Sequence, residues 1–296
     1  MDKDVKTILD ERCAEIEKHL AAFTADKPEL QGIVTEAMEY SLMAGGKRLR
    51  PILMLEFCRM CGGDFEKYYD LACTIEMIHT CSLIHDDLPC MDNDDFRRGK
   101  PSCHKAFPEN IALLAGDALE VLPFEVISDA ALNGVIDAKT GMMLISVLSK
   151  AIGVNGMIGG QVIDLQSEGK EISLDVLNTL QAYKTGALIE AACVMGVILS
   201  GKYERIGEAA AYASALGRAF QIIDDILDVT GSFEELGKPI GSDEDQNKTT
   251  YVSVLGLDRS YAEAQLLTEQ ALAILDGFED SEFLHTLTAM LLSRRS

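Results

Sequence analysis

Residues 76–101 read EMIHTCSLIHDDLPCMDNDDFRRGKP, a strongly apolar run followed by a dense group of acids. Apolar residues return at three- and four-residue intervals through the first half, which is typical of a helix packed into a core. Five carboxylates then fall within ten residues, and LPCM separates the first pair from the others. The stretch predicts a core helix that delivers a cluster of carboxylates to one end. These acids are Asp86, Asp87, Asp92, Asp94 and Asp95.

The helical spacing recurs from end to end of the 296 residues, and strand-like alternation is nearly absent. We therefore predict an all-α protein. No Ser/Gly/Pro-rich linker divides the chain, which favours a single domain over residues 1–296. The charged stretch 231–250 predicts a loop that covers a site. Predicted helices run at about 4–23, 28–43, 49–61, 66–87, 110–131, 138–153, 156–167, 173–200, 204–230, 259–276 and 280–293.

Composition excludes several classes of function. The formal net charge of -22, from 48 acidic and 26 basic residues, argues against nucleic acid or an anionic membrane surface as partner. Eight scattered cysteines indicate free thiols in a reducing compartment, so we expect a cytoplasmic protein and interpret Cys58 and Cys61 as buried thiols. The most apolar stretch, 187–199, contains Glu190 and is too short for a bilayer core of ~30 Å, so no membrane span is expected.

The first acidic cluster has a spacing that a straight helix does not bring onto one face. Asp86 and Asp92 are six residues apart, about 120° around a helix. Pro89 lies between them, and a proline kink would swing Asp92 back beside Asp86. Because an ordinary acidic run is usually a solvated helix end, this cluster alone is weak support for a metal site.

A second cluster, QIIDDILD, lies within another apolar helical run. Asp228 follows Asp224 by four residues and Asp225 by three, so all three carboxylates share a helix face where they repel one another unless a cation is bound. Two apolar helices that each carry an Asp-Asp pair predict the two sides of one metal site. The ligands are all oxygen, which favours Mg²⁺ and phosphate-bearing substrates.

Basic residues near these carboxylates are candidates for binding phosphate. Any one of them is more often a solvated side chain, and the argument rests on the set. It comprises Lys47, Arg48, Arg50, Arg97, Arg98, Lys184, Lys238 and Lys248.

These residues resemble a known family, the short-chain trans-prenyl diphosphate synthases that make farnesyl and geranylgeranyl diphosphate. The resemblance covers nearly the full chain and rests on an ordered series of blocks. The blocks are GGKRLRP, residues 76–101, LLAGDAL, GGQVIDL, YKTG, AFQIIDDILD and GKPIGSDEDQNKTTY. One departure is Ser242, where the family commonly has a second lysine.

The resemblance implies an isoprenoid synthase fold, a helical bundle around a deep central cavity, assembled as a homodimer. It implies that isopentenyl diphosphate is condensed with an allylic diphosphate (dimethylallyl, geranyl or farnesyl), with three Mg²⁺ ions at the aspartate motifs. The catalytic motifs match Asp86, Asp87, Asp92, Asp224, Asp225 and Asp228, with Asp86, Asp87, Asp92, Asp224 and Asp228 as metal ligands. The resemblance also implies a catalytic role for Lys184. It implies that the allylic diphosphate is bound by Lys184, Arg97, Thr185, Gln221, Lys238 and Lys248. Lys47, Arg50, His79 and Arg98 match the isopentenyl diphosphate site.

Product length is expected to depend on Cys81 and Ser82, which lie ~6 to 7.5 Å below Asp86 along the helix. Family members that stop at fifteen carbons commonly have an aromatic residue there. This small pair slightly favours the twenty-carbon geranylgeranyl product over farnesyl, although the two could simply be core-packing residues. The alternatives are a class I terpene cyclase, which normally lacks a second DDxxD, and a non-catalytic partner subunit of a prenyl synthase.

Overall fold

The computed structural model describes residues 3–230 and 249–292, and it confirms the all-α prediction for those residues. Contacts divide the chain into two compact units. Among the described residues, the first unit comprises 3–59 and 63–145, and the second comprises 60–62, 146–230 and 249–292. The boundary near residue 145 falls within one helix.

Helices of the first unit pack around α4 (Tyr69–Asp86), which contacts α6 (Glu109–Leu132) and α1 (Lys3–Phe23). Twelve of the eighteen residues of α4 are buried, which is why its sequence is apolar over most of its circumference. The other helices are α2 (Gly32–Leu42), α3 (Leu49–Met60), α5 (Cys103–Ala106) and the first part of α7 (Ala138–Ile152).

A short antiparallel hairpin, β1 (Phe96–Arg97) and β2 (Lys100–Pro101), follows the first acidic cluster. Arg98 and Gly99 form its turn with φ of 53° and 75°, as a two-residue hairpin turn requires. The sequence did not predict this hairpin, because strands of two residues are too short to show alternation.

The second unit is built around α11 (Ile206–Thr230), which packs against α10 (Ala187–Ser200) and α13 (Leu257–Leu275). The predicted helix 173–200 is interrupted, since α9 (Leu174–Gln181) and α10 are joined by a π-helical turn, Ala182–Gly186. The remaining helices are α8 (Met157–Ser167), α12 (Tyr251–Leu255) and α14 (Glu282–Leu292).

Three predicted boundaries differ from the structure. The helix predicted at 28–43 begins at Gly32, because residues after Pro28 form a turn. The helix predicted at 66–87 begins with a 3₁₀ turn, Phe65–Tyr68. Helix α4 ends at Asp86, three residues before Pro89, so the kinked helix that the sequence predicted across Pro89 does not form.

Two helical stretches, Ala138–Ser167 and Leu174–Ser200, are long and apolar enough to cross a membrane by length and composition, whereas the sequence analysis expected no span. In the second, 61% of the most apolar window is already buried inside the protein. Because buried core helices pass the same test, these stretches do not by themselves indicate a membrane protein.

Candidate active site

The first aspartate cluster lies where α4 ends and the chain turns back. The backbone N–H of Asp92 donates to the carbonyl oxygen of Asp86 at 2.9 Å, so the two residues are adjacent in space despite their spacing. Asp86 is half-buried and Asp92 is exposed. The return that the sequence attributed to a kink is thus made by a turn after the helix end.

Asp87 has a different environment from its two neighbours in the motif. It is only 2% exposed, and Nε of Arg97 donates to its two carboxylate oxygens at 3.0 and 3.2 Å. Burial raises the pKa of Asp87, and the ion pair with Arg97 opposes that shift. A second nitrogen of Arg97 contacts Asp94 at 3.1 Å. The Arg97 guanidinium, on the hairpin, is therefore held by two acids that precede it in the chain, Asp87 and Asp94.

A cationic cluster forms in the same unit around His79. Arg98 donates to the carbonyl oxygen of Gly45, and its guanidinium lies against Gly46, where a Cβ would be 2.9 Å from Cζ. Burial, then Arg50 and Arg98, hold the pKa of His79 well below its ordinary value of 6.5. The imidazole is consequently neutral at physiological pH, so the positive charge of the cluster comes from the guanidinium groups.

Lys47 and Arg48, which follow the two glycines in GGKRLRP, differ in exposure. Lys47 is exposed, and its carbonyl oxygen accepts from the Cys13 thiol at 3.3 Å. The Arg48 side chain is 0% exposed and donates to Glu76 at 2.7 Å. Arg48, a phosphate candidate by sequence, is thus committed to the interior of the protein.

The second aspartate cluster lies on α11, as its spacing predicted. Asp224 is half-buried, whereas Asp225 and Asp228 are buried. The carboxylate of Asp225 accepts the backbone N–H of Tyr251 at 2.7 Å, which satisfies an N-terminal amide of α12. Gln221 lies on the same helix, three residues before Asp224, and is half-buried.

Lys184 and Thr185 lie in the π-helical turn, where both side chains are half-buried. Nζ of Lys184 donates to Asp164 of α8 at 2.5 Å. Gly160 permits this approach, because a Cβ there would lie 2.3 Å from the backbone nitrogen of Lys184. The sequence analysis did not single out Asp164 or Gly160, although both belong to the GGQVIDL block. π-Helical turns occur frequently at functional sites.

Cys81 and Ser82, the predicted determinants of product length, have different surroundings. Cys81 is 2% exposed, and its sulfur lies 3.8 Å from Nδ1 of His85. The His85 ring in turn packs directly on Gly116 of α6. Ser82 is half-buried and its hydroxyl donates to the carbonyl oxygen of His79 at 2.9 Å. Of the pair, Ser82 is the residue with accessible surface.

Within residues 3–230 and 249–292, no group of three or more His, Cys, Asp or Glu side chains is arranged to hold a metal ion. Mg²⁺ does not need one, since it commonly binds one or two carboxylates together with waters and substrate phosphates. The all-oxygen side chains of Asp86, Asp92, Asp224 and Asp228 therefore fit this ion. Lys238, Ser242 and Lys248 lie outside the residues that the structure describes.

Three comparisons with known proteins bear on this site. Residues 31–288 match the family described as Polyprenyl synthetase. The chain is 45% identical over 253 residues to the heterodimeric geranylgeranyl pyrophosphate synthase large subunit 1, chloroplastic, of Arabidopsis thaliana, covering 84% of this chain and 68% of that protein.

Two solved structures are similar over almost the whole chain. An FPP/GFPP synthase of Zymomonas mobilis superposes with a TM-score of 0.87 at 37% identity, covering 99% of this chain and 100% of that one. A geranyltransferase of Helicobacter pylori, complexed with magnesium and isoprenyl diphosphate, gives a TM-score of 0.82 at 33% identity, covering 99% and 97%.

Proposed function

We propose a reaction for this chain from the family to which it belongs. It is a short-chain trans-prenyl diphosphate synthase of the polyprenyl synthetase family, with the all-α isoprenoid synthase fold. It is a trans-prenyltransferase. The proposed reaction condenses isopentenyl diphosphate with an allylic diphosphate and releases diphosphate. The preferred product in this proposal is the twenty-carbon geranylgeranyl diphosphate.

The observation that carries this proposal is the pairing of opposite charges in the first unit. Carboxylates of the first cluster lie at the end of α4, and the cationic cluster of Arg50 and Arg98 surrounds His79 two turns earlier on the same helix. A diphosphate needs cations around it, and Mg²⁺ needs carboxylates. Both requirements are met within one compact part of a protein whose net charge is -22.

Family membership indicates dependence on Mg²⁺, and the number of ions, three, is part of the proposal. Asp86, Asp87 and Asp92 with Asp224 and Asp228 are the proposed ligands, and the carboxylate of Asp87 also accepts hydrogen bonds from Arg97. When bound, Mg²⁺ neutralises charge that grows on the departing diphosphate.

The protein's own cations act on both substrates. In this proposal Arg97, held in place by Asp87, stabilises the diphosphate that leaves the allylic carbon, together with Lys184, Thr185 and Gln221. Lys238 and Lys248, outside the described residues, belong to the same proposed set. Lys47, Arg50, His79 and Arg98 hold isopentenyl diphosphate, whose double bond attacks the allylic cation. The carbocation that results loses a proton to the released diphosphate, which restores a double bond in the product. His79, being neutral, binds by hydrogen bonding, and no protein nucleophile is required.

The product length rests on the small residues below the first motif. Ser82 is small and half-buried at the depth where an aromatic residue would stop the growing chain, and the Arabidopsis relative is named a geranylgeranyl pyrophosphate synthase subunit. The Zymomonas neighbour is named an FPP/GFPP synthase, so farnesyl diphosphate is the competing product that the test must separate.

Three further features belong to the proposal. The family match spans residues of both compact units, which supports one domain over residues 1–296. Exposed apolar residues on α6, among them Leu114 and Val121, support a homodimer. A cytoplasmic location remains proposed, since the Arabidopsis relative is named as chloroplastic.

The test is turnover of isopentenyl diphosphate with each allylic primer, with chromatography of the dephosphorylated products. Activity should need Mg²⁺, and Asp86→Ala or Asp224→Ala should lower kcat by about 10²-fold or more while melting temperatures stay close to that of the unmodified protein. Asp225→Ala is the informative contrast, because Asp225 accepts the backbone N–H of Tyr251 and the loss of this hydrogen bond should also lower stability. Normal turnover in both Asp86→Ala and Asp224→Ala would disprove the assignment of the metal ligands.

A further inference from the structure

We propose that Arg48 is a positioning residue for isopentenyl diphosphate, acting through the loop Gly45–Arg50 and not by touching the substrate. The inference rests on the proposed function, since it concerns the cations assigned there to this substrate. Its starting point is that a fully buried guanidinium lies one residue from Lys47 and two from Arg50. Burying a charge is unfavourable unless it is paired, so its contacts reveal what it holds.

Arg48 joins three separate elements. One terminal nitrogen donates to Glu76 of α4 at 2.7 Å. The other donates to the carbonyl oxygen of Leu42, the last residue of α2, at 2.6 Å, and to Glu17 of α1 at 3.3 Å. Glu76 is itself only 2% exposed, so the central ion pair is screened from water.

The loop that Arg48 anchors has an unfavourable backbone. Gly45 and Gly46 have φ of 92° and 135°. Arg48 has φ of 49°, a left-handed backbone conformation that residues other than glycine seldom adopt. Such a conformation persists where the surrounding contacts enforce it. The contacts of the Arg48 side chain are among those that hold this loop, together with the hydrogen bonds that Cys13 and Arg98 donate to its carbonyl oxygens.

Loop conformation in turn determines where the cations lie. The Gly45 carbonyl oxygen accepts a hydrogen bond from the Arg98 guanidinium. The guanidinium packs on Gly46, where a Cβ would lie 2.9 Å from its Cζ. Glu76 precedes His79 by three residues on α4, so the Arg48 pair fixes the loop one helical turn from that imidazole. A shift of the loop would therefore move Arg98 and Arg50 together relative to His79.

Helix α1 takes part in this arrangement, although it precedes the residues 31–288 that match the family. Cys13 donates to the carbonyl oxygen of Lys47 at 3.3 Å, and Glu17 contacts Arg48. Burial, then Glu17, raises the pKa of the Cys13 thiol to about 11, so it stays protonated and keeps its donor. Two side chains of α1 thus support the backbone from which the cations project.

The decisive variant is the double substitution Arg48→Met and Glu76→Met. Replacing a buried ion pair by apolar residues of similar volume often leaves stability unchanged or raises it, whereas either single change would leave one charge buried and unpaired. The double variant therefore keeps the fold but releases the loop. We expect KM for isopentenyl diphosphate to rise about 10-fold or more, with KM for the allylic substrate and kcat within about 2-fold.

Arg59→Met is the matched control. Arg59 donates to Glu56, a residue 1% exposed, at 2.8 Å, and both residues lie in the last two turns of α3, after the loop. Its loss should lower the melting temperature without changing either KM. Arg48→Lys provides a second test if the double variant does not fold, because lysine keeps the charge but lacks the planar fork that reaches three acceptors.

The outcomes separate this inference from the proposed function. An unmodified protein that does not consume isopentenyl diphosphate would disprove the proposed function. If the unmodified protein is active, an unchanged KM for isopentenyl diphosphate in the folded double variant, or in folded Arg48→Lys, overturns the positioning role alone. An equal rise of both KM values would also overturn it, because general damage does not distinguish the two substrates.

Discussion

His79 illustrates how neighbours decide what a residue can do. It lies on α4 among Arg48, Arg50, Arg97 and Arg98, and burial together with these cations keeps its pKa well below 6.5. A histidine in this setting is a neutral hydrogen-bonding group. The resemblance predicted a binding role for His79, and its depressed pKa makes it unsuited to accept a proton during catalysis.

This depressed pKa has a consequence for stability. Below pH about 6.5 the unfolded chain binds a proton at His79 that the folded protein resists, so stability should fall as the pH decreases from there towards the folded pKa. The slope from this one group is at most about 1.4 kcal/mol per pH unit. Melting temperatures of His79→Gln between pH 7 and pH 5 should decline less steeply than those of the unmodified protein. Parallel declines would show that His79 is not the group responsible.

Ser82 is the residue at which product length should respond. It is half-buried, unlike Cys81, whose sulfur already packs beside His85. Ser82→Phe should place a ring across the path of the growing chain and make farnesyl diphosphate the main product, as measured by chromatography after dephosphorylation. Cys81→Ser, which barely changes volume, is the control. A twenty-carbon product from Ser82→Phe would remove Ser82 as a determinant.

At the scale of elements, the contact between α8 and the π-helical turn sets the position of Lys184. The backbone of α8 approaches so closely at Gly160 that a Cβ would lie 2.3 Å from the Lys184 nitrogen. Asp164, four residues later on the same helix, completes the contact by binding the Lys184 ammonium group. One helix thus holds both the backbone and the side chain of this cation.

Gly160→Ala should separate these two elements. We expect it to destabilise the protein by about 1–3 kcal/mol through overpacking and to lower kcat by displacing Lys184, as measured by denaturant unfolding and steady-state kinetics. Gly207→Ala is the control, since nothing lies within 4 Å of a Cβ there and alanine favours the helix. Equal stability of the two alanine variants would show that α8 can yield without cost.

At the scale of the whole molecule, the exposed apolar residues of α6 call for a partner. Leu114 and Val121 are 48% and 64% exposed and lie seven residues apart, so they share one face of the helix. An exposed apolar face of this kind is more favourable when it is covered than when it is solvated, and its burial would have to outweigh the repulsion between two copies that each carry a charge of -22.

The double substitution Leu114→Asp and Val121→Asp should therefore convert the proposed dimer to a monomer, as measured by sedimentation or light scattering. Leu30→Asp is the control, because Leu30 is 93% exposed and lies in a turn outside α6. A double variant that keeps the mass of the unmodified protein would exclude this face as the interface. A monomeric unmodified protein would exclude the homodimer itself.

The sequence by itself determined the helical class, the position of most helices and the family. Apolar periodicity reports on local structure directly, and the aspartate clusters with GGKRLRP and YKTG form a series that chance does not produce in that order. The sequence did not predict the hairpin or the π-helical turn, because each is shorter than the stretch of sequence over which a periodic pattern can be recognised.

Only the tertiary structure decided which partner each charged residue takes. Asp87 binds Arg97, Asp225 caps α12, Lys184 binds Asp164 and Arg48 is buried against Glu76. These pairs join residues between 10 and 28 positions apart. In the three ion pairs, other residues of opposite charge lie at similar spacing in the sequence, and Asp225 takes a backbone N–H instead of a cation. Which partner a charged residue takes depends on where distant helices pack and on which charges are removed from water. Local sequence spacing predicts neither of these.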